Sequence, residues 1–355
     1  MKATDFRGLA LCAKALSLAV WITLTQHSAH ARVVRIVIDE VKPLPADQSG
    51  AIATEQIAGR AFGELDPQAA THRIIQDIDL VKDRDGKVRY VATFVLTKPV
   101  DARSASGLMW HEAPNRARPR PNVLAERSHG DIDLTSAWQG DNAGATAVRE
   151  RANVELTHWL RLPVATQPDG SPLLGQILGR IVNRSGPASQ PLIVQTNPLP
   201  YPPVSLDTRQ ARLVSRTAES TRGEVIGEVD IAPQDWAWAR CDAQHPFPGT
   251  PDPSQICLKH GFDPKLLYQV TYTSSQAYAL GVGFAAWRDV GQFFKTARAD
   301  DHGTPNPIAG WVTHSIGRGV SQSGNFLRGW LHLGFNQDEQ GRQRSEEHTS
   351  ELQSH

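Results

Sequence analysis

The sequence lacks any long run of charge of one sign. Its 355 residues include 37 basic and 37 acidic side chains, so the formal net charge at pH 7 is zero. A neutral chain without a basic patch has no long-range attraction for nucleic-acid phosphates or anionic lipid surfaces. We therefore expect no nucleic-acid partner.

Long hydrophobic runs are also missing from the sequence after residue 31. A transmembrane helix needs about 20 consecutive apolar residues, so we expect no membrane span. The short apolar stretch ALSLAVWITL follows a basic start and precedes Ala29-His30-Ala31. This order is typical of a secretory signal peptide. We predict that residues 1–31 are removed and that the mature protein is secreted or periplasmic.

Cysteine is scarce, and motifs for metal binding are not evident. Cys12 lies in the signal peptide, which leaves Cys241 and Cys257 on either side of a loop rich in proline and glycine. An even pair in an oxidising compartment predicts one disulfide. A zinc site would need two more ligands, and His245 and His260 do not complete a standard spacing. There is no H-E-x-x-H motif, and we predict neither a metal nor a cofactor.

Hydrophobic periodicity predicts a chain rich in strands. Alternating residues predict a strand from residue 32, and residues 72–100 predict two strands joined by a turn at Asp85-Gly86. Strand-like runs separated by proline, glycine and serine predict a β-rich insertion over about 160–262. Helical spacing in GVGFAAWRDVGQFFKTA predicts an amphipathic helix, on which Asp289 is interpreted as a surface or capping charge.

A serine stands between a predicted strand and a predicted helix in GWVTHSIGRGVSQSGNFLRGWLHLGF. A serine hydroxyl is a weak nucleophile unless it is exposed and activated, and a G-x-S-x-G turn exposes it. Gly319 and Ser323 fill the two small positions around Ser321, which predicts Ser321 as the nucleophile. Ser323 fits less well, because Asn325 would then fill a small position. The backbone N–H of Gln322, at the helix N-terminus, is predicted to stabilise an oxyanion.

The stretch GRGVSQSGNFLRGWLHLGFNQDEQGR resembles the nucleophile region of a family of α/β-hydrolase domain proteins. Upstream blocks, among them CLKHGFDPKLLYQVTYT and LGVGFAAWRDV, resemble the same family in the expected order over most of residues 33–342. The resemblance implies the α/β class, with an α/β-hydrolase fold over residues 32–343 that carries the β-rich insertion or cap. It also implies an exported carboxylic-ester hydrolase that works through an acyl-enzyme on a small-molecule ester.

A second oxyanion N–H comes, in that fold, from a loop after an earlier strand. MWHEAPNRA resembles this strand and loop, so Asn115, Arg116 and Ala117 are the candidates. The family has glycine where Ala117 stands, and a Cβ there would restrict a loop that needs positive φ. Judged by turn composition alone, Asn115-Arg116 is equally well interpreted as a solvated polar turn.

The C-terminal residues 344–355, RSEEHTSELQSH, resemble the translation of a sequencing adapter and are interpreted as a non-native tail. The order serine, acid, histidine would place both triad partners after Ser321, and neither is recognisable before the tail. His314 lies on the preceding strand and His332 on the following helix. We therefore expect the native chain to continue past Gln343. The C-terminal part of the sheet would then be missing, with an unpaired edge, and the chain as written would be inactive.

The alternative function is a non-catalytic extracellular module that binds a ligand. Trp236 and Trp238, close together in DWAWARC, could supply an aromatic binding platform, although tryptophan is more often buried. The sequence defines neither the oligomeric state nor the acyl and alcohol parts of an ester substrate.

Overall fold

The computed structural model describes residues 32–44, 52–118, 128–142, 151–155, 158–181, 188–193, 200–337 and 343–351. Strands make up 40% of the structure and helices 15%, and the described part contains two α-helices. The predicted α/β-hydrolase fold is therefore wrong, because this is a β-rich architecture. The serine motif specifies one strand, one turn and one helix, whereas the class of the whole fold depends on connections elsewhere in the chain. The predicted signal peptide lies outside the described residues.

The described strands form four sheets. In chain order they are β1 (Arg32–Pro43), β2 (Thr54–Leu65), β3 (Val88–Pro99), β4 (Leu108–Glu112), β5 (Ile132–Ser136), β6 (Leu160–Arg161), β7 (Gly175–Ile181), β8 (Ser189–Pro191), β9 (Arg212–Arg216), β10 (Ala218–Glu219), β11 (Val225–Ile226), β12 (Val229–Ile231), β13 (Trp236–Arg240), β14 (Thr250–Leu258), β15 (Leu267–Ser274), β16 (His314–Val320) and β17 (Glu347–Glu351). The helices are α1 (Val282–Thr296) and α2 (Gln322–His332). Neither helix is long and apolar enough to cross a membrane, which is a statement about the described residues alone.

The main sheet has eight strands in the order β1-β2-β3-β5-β4-β16-β17, with β6 paired to β3. Pairing is antiparallel from β1 to β3 and between β3 and β5. It is parallel among β5, β4, β16 and β17. The parallel half brings the C-terminal ends of β4 and β16 to the same edge of the sheet, and the serine turn follows β16 directly.

The predicted hairpin in residues 72–100 is wrong in its first strand. The segment before Asp85 forms turns and a short 3-10 helix, Ile78–Val81, and β3 pairs with β2 instead. The pattern did not reveal β2, because Gly59 and Gly63 weaken its strand signal. A Cβ at either glycine would collide with the ring of Phe94 or Tyr90. The two glycines therefore leave room for the aromatic side chains of β3.

A second hydrophobic core lies within residues 175–274. One sheet has the order β12-β9-β15-β7 and another β13-β14-β8, while β10 and β11 form a hairpin. Trp236 and Trp238 are each 2% exposed in this core. They cannot form a ligand platform, so that basis for a binding module is wrong. Cys241 and Cys257 form the predicted disulfide next to β13.

The predicted amphipathic helix is confirmed as α1, which packs against the main sheet. The interpretation of Asp289 as a surface charge is wrong, because the side chains of Asp289 and Arg288 are both fully buried. Arg288 Nε donates to Asp289 Oδ1 at 2.7 Å, and Tyr90 donates its hydroxyl to Asp289 Oδ2 at 3.2 Å. Arg288 Nη2 lies 2.9 Å from His72 Nε2. The charge is thus part of a buried polar cluster beneath the sheet.

Among the described strands, the edge of the sheet on this side is β17 and not β16. Residues Glu347–Glu351 form β17, parallel to β16, with Ile316 opposite Glu347 and Val320 opposite Glu351. Just before β17, the Glu346 carboxylate accepts a hydrogen bond from the Ser315 N–H at 2.7 Å. Strand pairing uses backbone N–H and C=O groups, and every residue except proline supplies both. A tail without apolar periodicity can therefore still extend a sheet.

Candidate active site

The turn between β16 and α2 holds Ser321 in a strained backbone conformation. Its φ is 56° and its ψ is −116°, a combination that L-residues adopt at a cost of about 1–3 kcal/mol. Ser321 is at the N-cap position, yet its side chain makes no capping hydrogen bond, although serine usually caps there. The residue is half-buried. Its hydroxyl is therefore left available to react.

Two small neighbours allow this turn to close. A Cβ on Gly319 would collide with the backbone carbonyl of Ser323, so the position requires glycine. The Ser323 hydroxyl accepts from the Val320 N–H at 2.9 Å and donates to the Val320 carbonyl at 3.0 Å. Ser323 is 1% exposed, and both of its hydrogen-bonding roles are used within the turn. Between the two serines, the geometry favours Ser321 as the nucleophile.

The predicted oxyanion loop lies directly against this turn. β4 runs parallel to β16, and the Ala113 N–H donates to the Arg318 carbonyl at 2.9 Å. Asn115 Nδ2 then donates to the Val320 carbonyl at 2.9 Å. The Arg116 N–H donates to Gln322 Oε1 at 3.0 Å. The structure thus brings together Ser321, Gln322, Asn115 and Arg116, although sequence separates the loop from the turn by about 200 residues.

The loop after β4 contains two residues with positive φ, the conformation that a Cβ at Ala117 disfavours. Arg116 has φ 47° and Ala117 has φ 63°, a region in which glycine is much less strained than alanine. The Ala117 carbonyl accepts from the His158 N–H at 2.9 Å, and Ala117 is 1% exposed. Burial and this hydrogen bond hold a conformation that the side chain disfavours. The Cβ of Ala117 is compatible with the loop at the cost of local strain.

A charged cluster stabilises the sheet beneath the turn. Arg318 Nη2 on β16 donates to Glu112 Oε2 on β4 and to Asp133 Oδ1 on β5, both at 3.0 Å. All three side chains are at most 11% exposed. The guanidinium therefore joins three adjacent strands, β16, β4 and β5.

No described side chain hydrogen-bonds the Ser321 hydroxyl. His111 lies against Trp287 with ring centroids 4.0 Å apart, and its Nε2 is 2.8 Å from the Ser136 hydroxyl. Burial lowers the pKa of His111 to about 3 and that of His158 to about 4, so both are neutral near pH 7. Both histidines are buried in the core. Among the described residues, no general base contacts Ser321.

The remaining histidines near the motif lie elsewhere. His314 begins β16 and His332 ends α2, and both are exposed. His348 on β17 pairs with Gly317, four residues before Ser321, and burial lowers its pKa. Among the described residues, no group of histidine, cysteine, aspartate or glutamate is arranged to hold a metal.

Comparison with known proteins does not add to this picture. No family model, curated protein or solved structure matches the chain. The resemblance of the serine motif to α/β-hydrolase domain proteins stays a prediction, and the functional argument depends on the geometry of the site.

A pocket of about 220 Å³ opens beside the serine turn. Its apolar lining includes Trp138, Leu280, Phe284 and Phe326, and the Trp138 and Phe326 rings stack with centroids 4.2 Å apart. Its polar lining consists of Gln139, Asp141 and Gln322. Since Gln322 directly follows Ser321 in sequence, the pocket adjoins the serine turn. Sequence reasoning missed this pocket, because AWQGDN reads as a strand and a turn.

Replacing Gly319 with alanine is expected to lower the free energy of unfolding by about 1–3 kcal/mol, because the new Cβ collides with the Ser323 carbonyl. Gly175→Ala is the matched control, since a Cβ there meets nothing within 4 Å, and it should change stability by less than about 0.5 kcal/mol. Urea denaturation of the two variants measures the difference. Equal stability of both would contradict the close approach at Gly319.

Proposed function

We propose that the protein is a serine hydrolase that forms an acyl-enzyme on Ser321, with a carboxylic ester as its substrate. The observation that carries the proposal is the strained backbone of Ser321 between β16 and α2, with φ 56° and a hydroxyl that does not cap the helix. Strain of this kind persists where surrounding structure holds it, and it concentrates at functional sites. The proposal concerns the site alone and not the fold.

The chemistry follows from the neighbours of the serine. The Ser321 Oγ forms a bond to the acyl carbon, the alcohol departs with its electron pair, and the hydroxyl proton passes to a base. A water molecule then cleaves the acyl-enzyme and releases the acid. The backbone N–H of Gln322 begins α2, where the first N–H groups have no partner within the helix. It is the donor that is best placed to stabilise the oxyanion.

Arg116 can supply a second donor after one side-chain movement. Its N–H is occupied by Gln322 Oε1 at 3.0 Å, so the Gln322 side chain must turn away before the N–H can reach an oxyanion. Because no described side chain accepts the serine proton, we expect this chain to be essentially inactive in turnover. The Cys241–Cys257 disulfide supports an exported location, since disulfides persist in oxidising compartments.

Labelling with a fluorophosphonate tests the proposal without requiring turnover. The Ser321 Oγ–phosphorus bond forms as fluoride leaves, and intact-protein mass with peptide mapping locates the adduct. We expect a single adduct on Ser321, formed slowly in buffer and faster when imidazole is added as an external base. Ser321→Ala should remove it, while Ser171→Ala, at an exposed position, should keep it.

The proposal fails under two outcomes. An adduct that persists in Ser321→Ala would place the reactive group elsewhere. A wild-type chain that is folded by near-ultraviolet circular dichroism, yet unlabelled even with imidazole, would favour a non-catalytic protein.

A further inference from the structure

The pocket beside the serine turn contains a carboxylate without a cationic partner among the described residues. Asp141 is half-buried, and Gln139 Nε2 donates to its Oδ1 at 2.9 Å. Gln139 Oε1 in turn lies 3.5 Å from Gln322 Nε2. A polar path therefore connects Asp141 to the residue that follows the nucleophile. A carboxylate that is partly removed from water and unpaired carries a desolvation cost, which a bound cation would offset.

Aromatic rings line the same pocket as this carboxylate. Trp138, Phe284 and Phe326 line the pocket, and Phe326 stacks on Trp138 and on Phe284 with centroids 4.2 Å and 4.9 Å apart. The ring faces that meet in these stacks are covered, which leaves the opposite face of the Trp138 ring for a ligand. The faces of such rings carry negative potential and attract cations. A pocket of this composition favours an organic cation over a neutral apolar group, because a neutral group would leave Asp141 desolvated and unpaired.

The negative charge of Asp141 also acts on two tyrosines, Tyr201 and Tyr278. Burial and the charge of Asp141 raise the pKa of Tyr201 and of Tyr278. Their rings meet edge to face with centroids 6.0 Å apart. The negative potential therefore extends from the pocket toward these phenols, which stay neutral near pH 7 and do not compete for a cation as charged groups would.

We propose that this pocket binds an ammonium or quaternary ammonium group of the substrate, with Asp141 as its charge partner and the indole of Trp138 as an aromatic face. The inference rests on the proposed hydrolase function, because it identifies the substrate as an ester that carries a positive charge near the scissile bond. It specifies the substrate class of the same site.

Binding of benzyltrimethylammonium tests the inference, with neopentylbenzene as the neutral probe of matching shape. Quenching of tryptophan fluorescence gives both affinities for the full chain. We expect the cation to bind about tenfold more tightly than the neutral probe, and more weakly as salt is added. Asp141→Asn should remove that preference and Asp141→Glu should retain it. Asp101→Asn, which alters an exposed ion pair, should change nothing.

The outcomes separate this inference from the hydrolase proposal. Ser321→Ala should bind the cation as the wild-type chain does, because binding needs no nucleophile. Equal affinity of the wild-type chain for both probes would overturn the cation site whether or not Ser321 reacts with the fluorophosphonate. If Asp141→Asn does not fold, the comparison of the two probes and the salt dependence on the wild-type chain still decide the question.

Discussion

Replacing Asp289 with asparagine is expected to lower the free energy of unfolding by about 3–5 kcal/mol. The side chains of Arg288 and Asp289 are fully buried, with 2.7 Å between Arg288 Nε and Asp289 Oδ1. Asparagine keeps the shape of aspartate but removes its charge, which leaves the guanidinium without an anionic partner on Asp289. Arginine cannot lose its proton in proteins, so this cost cannot be relieved by a change of protonation.

An exposed ion pair with the same N–O distance provides the control. Arg103 Nη2 lies 2.7 Å from Asp101 Oδ2, with 90% of the Arg103 side chain exposed. Asp101→Asn should change stability by less than about 0.5 kcal/mol, since exposed ion pairs contribute little. Urea denaturation measures both variants. If Asp289→Asn costs no more than Asp101→Asn, burial of the pair does not govern stability.

Lowering the pH from 7 to 5 is expected to reduce the free energy of unfolding by about 4 kcal/mol, close to 2 kcal/mol for each of His111 and His158. Burial lowers the pKa of His111 to about 3 and that of His158 to about 4, from an ordinary value of 6.5. Below pH 6.5 the unfolded chain takes up one proton at each of these two histidines that the folded chain does not. The stability is therefore present above pH 6.5 and is lost as the pH falls toward the folded-state values.

Urea denaturation at half-unit steps from pH 7 to pH 5 tests this expectation. Between pH 6 and pH 5 the free energy should change by about 1.4 kcal/mol per pH unit for each buried histidine. His158→Asn should remove about half of that slope. His314→Asn, at an exposed position, should leave the slope unchanged. A wild-type stability that is flat over this range would show that both imidazoles take up protons at the same pH in the folded and unfolded chains, and would contradict their lowered pKa values.

Local features of the sequence predicted the parts of the site that depend on local geometry. The small residues around Ser321 predicted the turn because its closure excludes a Cβ at Gly319, a constraint that acts within a few residues. The oxyanion loop was placed by its resemblance to a known family, since no local pattern relates Asn115 to Val320. The sequence could not supply the class of the fold, because that class depends on which strands pair.

The burial of charged side chains also depends on distant parts of the chain, and the sequence alone did not predict it. A charge on an amphipathic helix usually faces water, and the partners that bury Asp289 include Tyr90, which lies 199 residues away in sequence. The pocket around Asp141 likewise combines residues from three separate segments of the chain. Its composition becomes visible only when those segments are adjacent. The sequence did not predict the pairing of β17 with β16, because backbone hydrogen bonding does not depend on the side-chain pattern from which strands are predicted.

The contact between Asn115 and Val320 spans 205 positions of sequence, and this has a consequence for the order in which the molecule assembles. Closing a loop of that length costs entropy before any contact compensates for it. The sheets within residues 175–274 pair strands that are closer in sequence, so their nucleation is faster. On a ribosome Ser321 is synthesised after those sheets. The loop that contains Asn115 therefore stays without its contact to Val320 until late in translation, and the arrangement around Ser321 is among the last parts of the nascent chain to form.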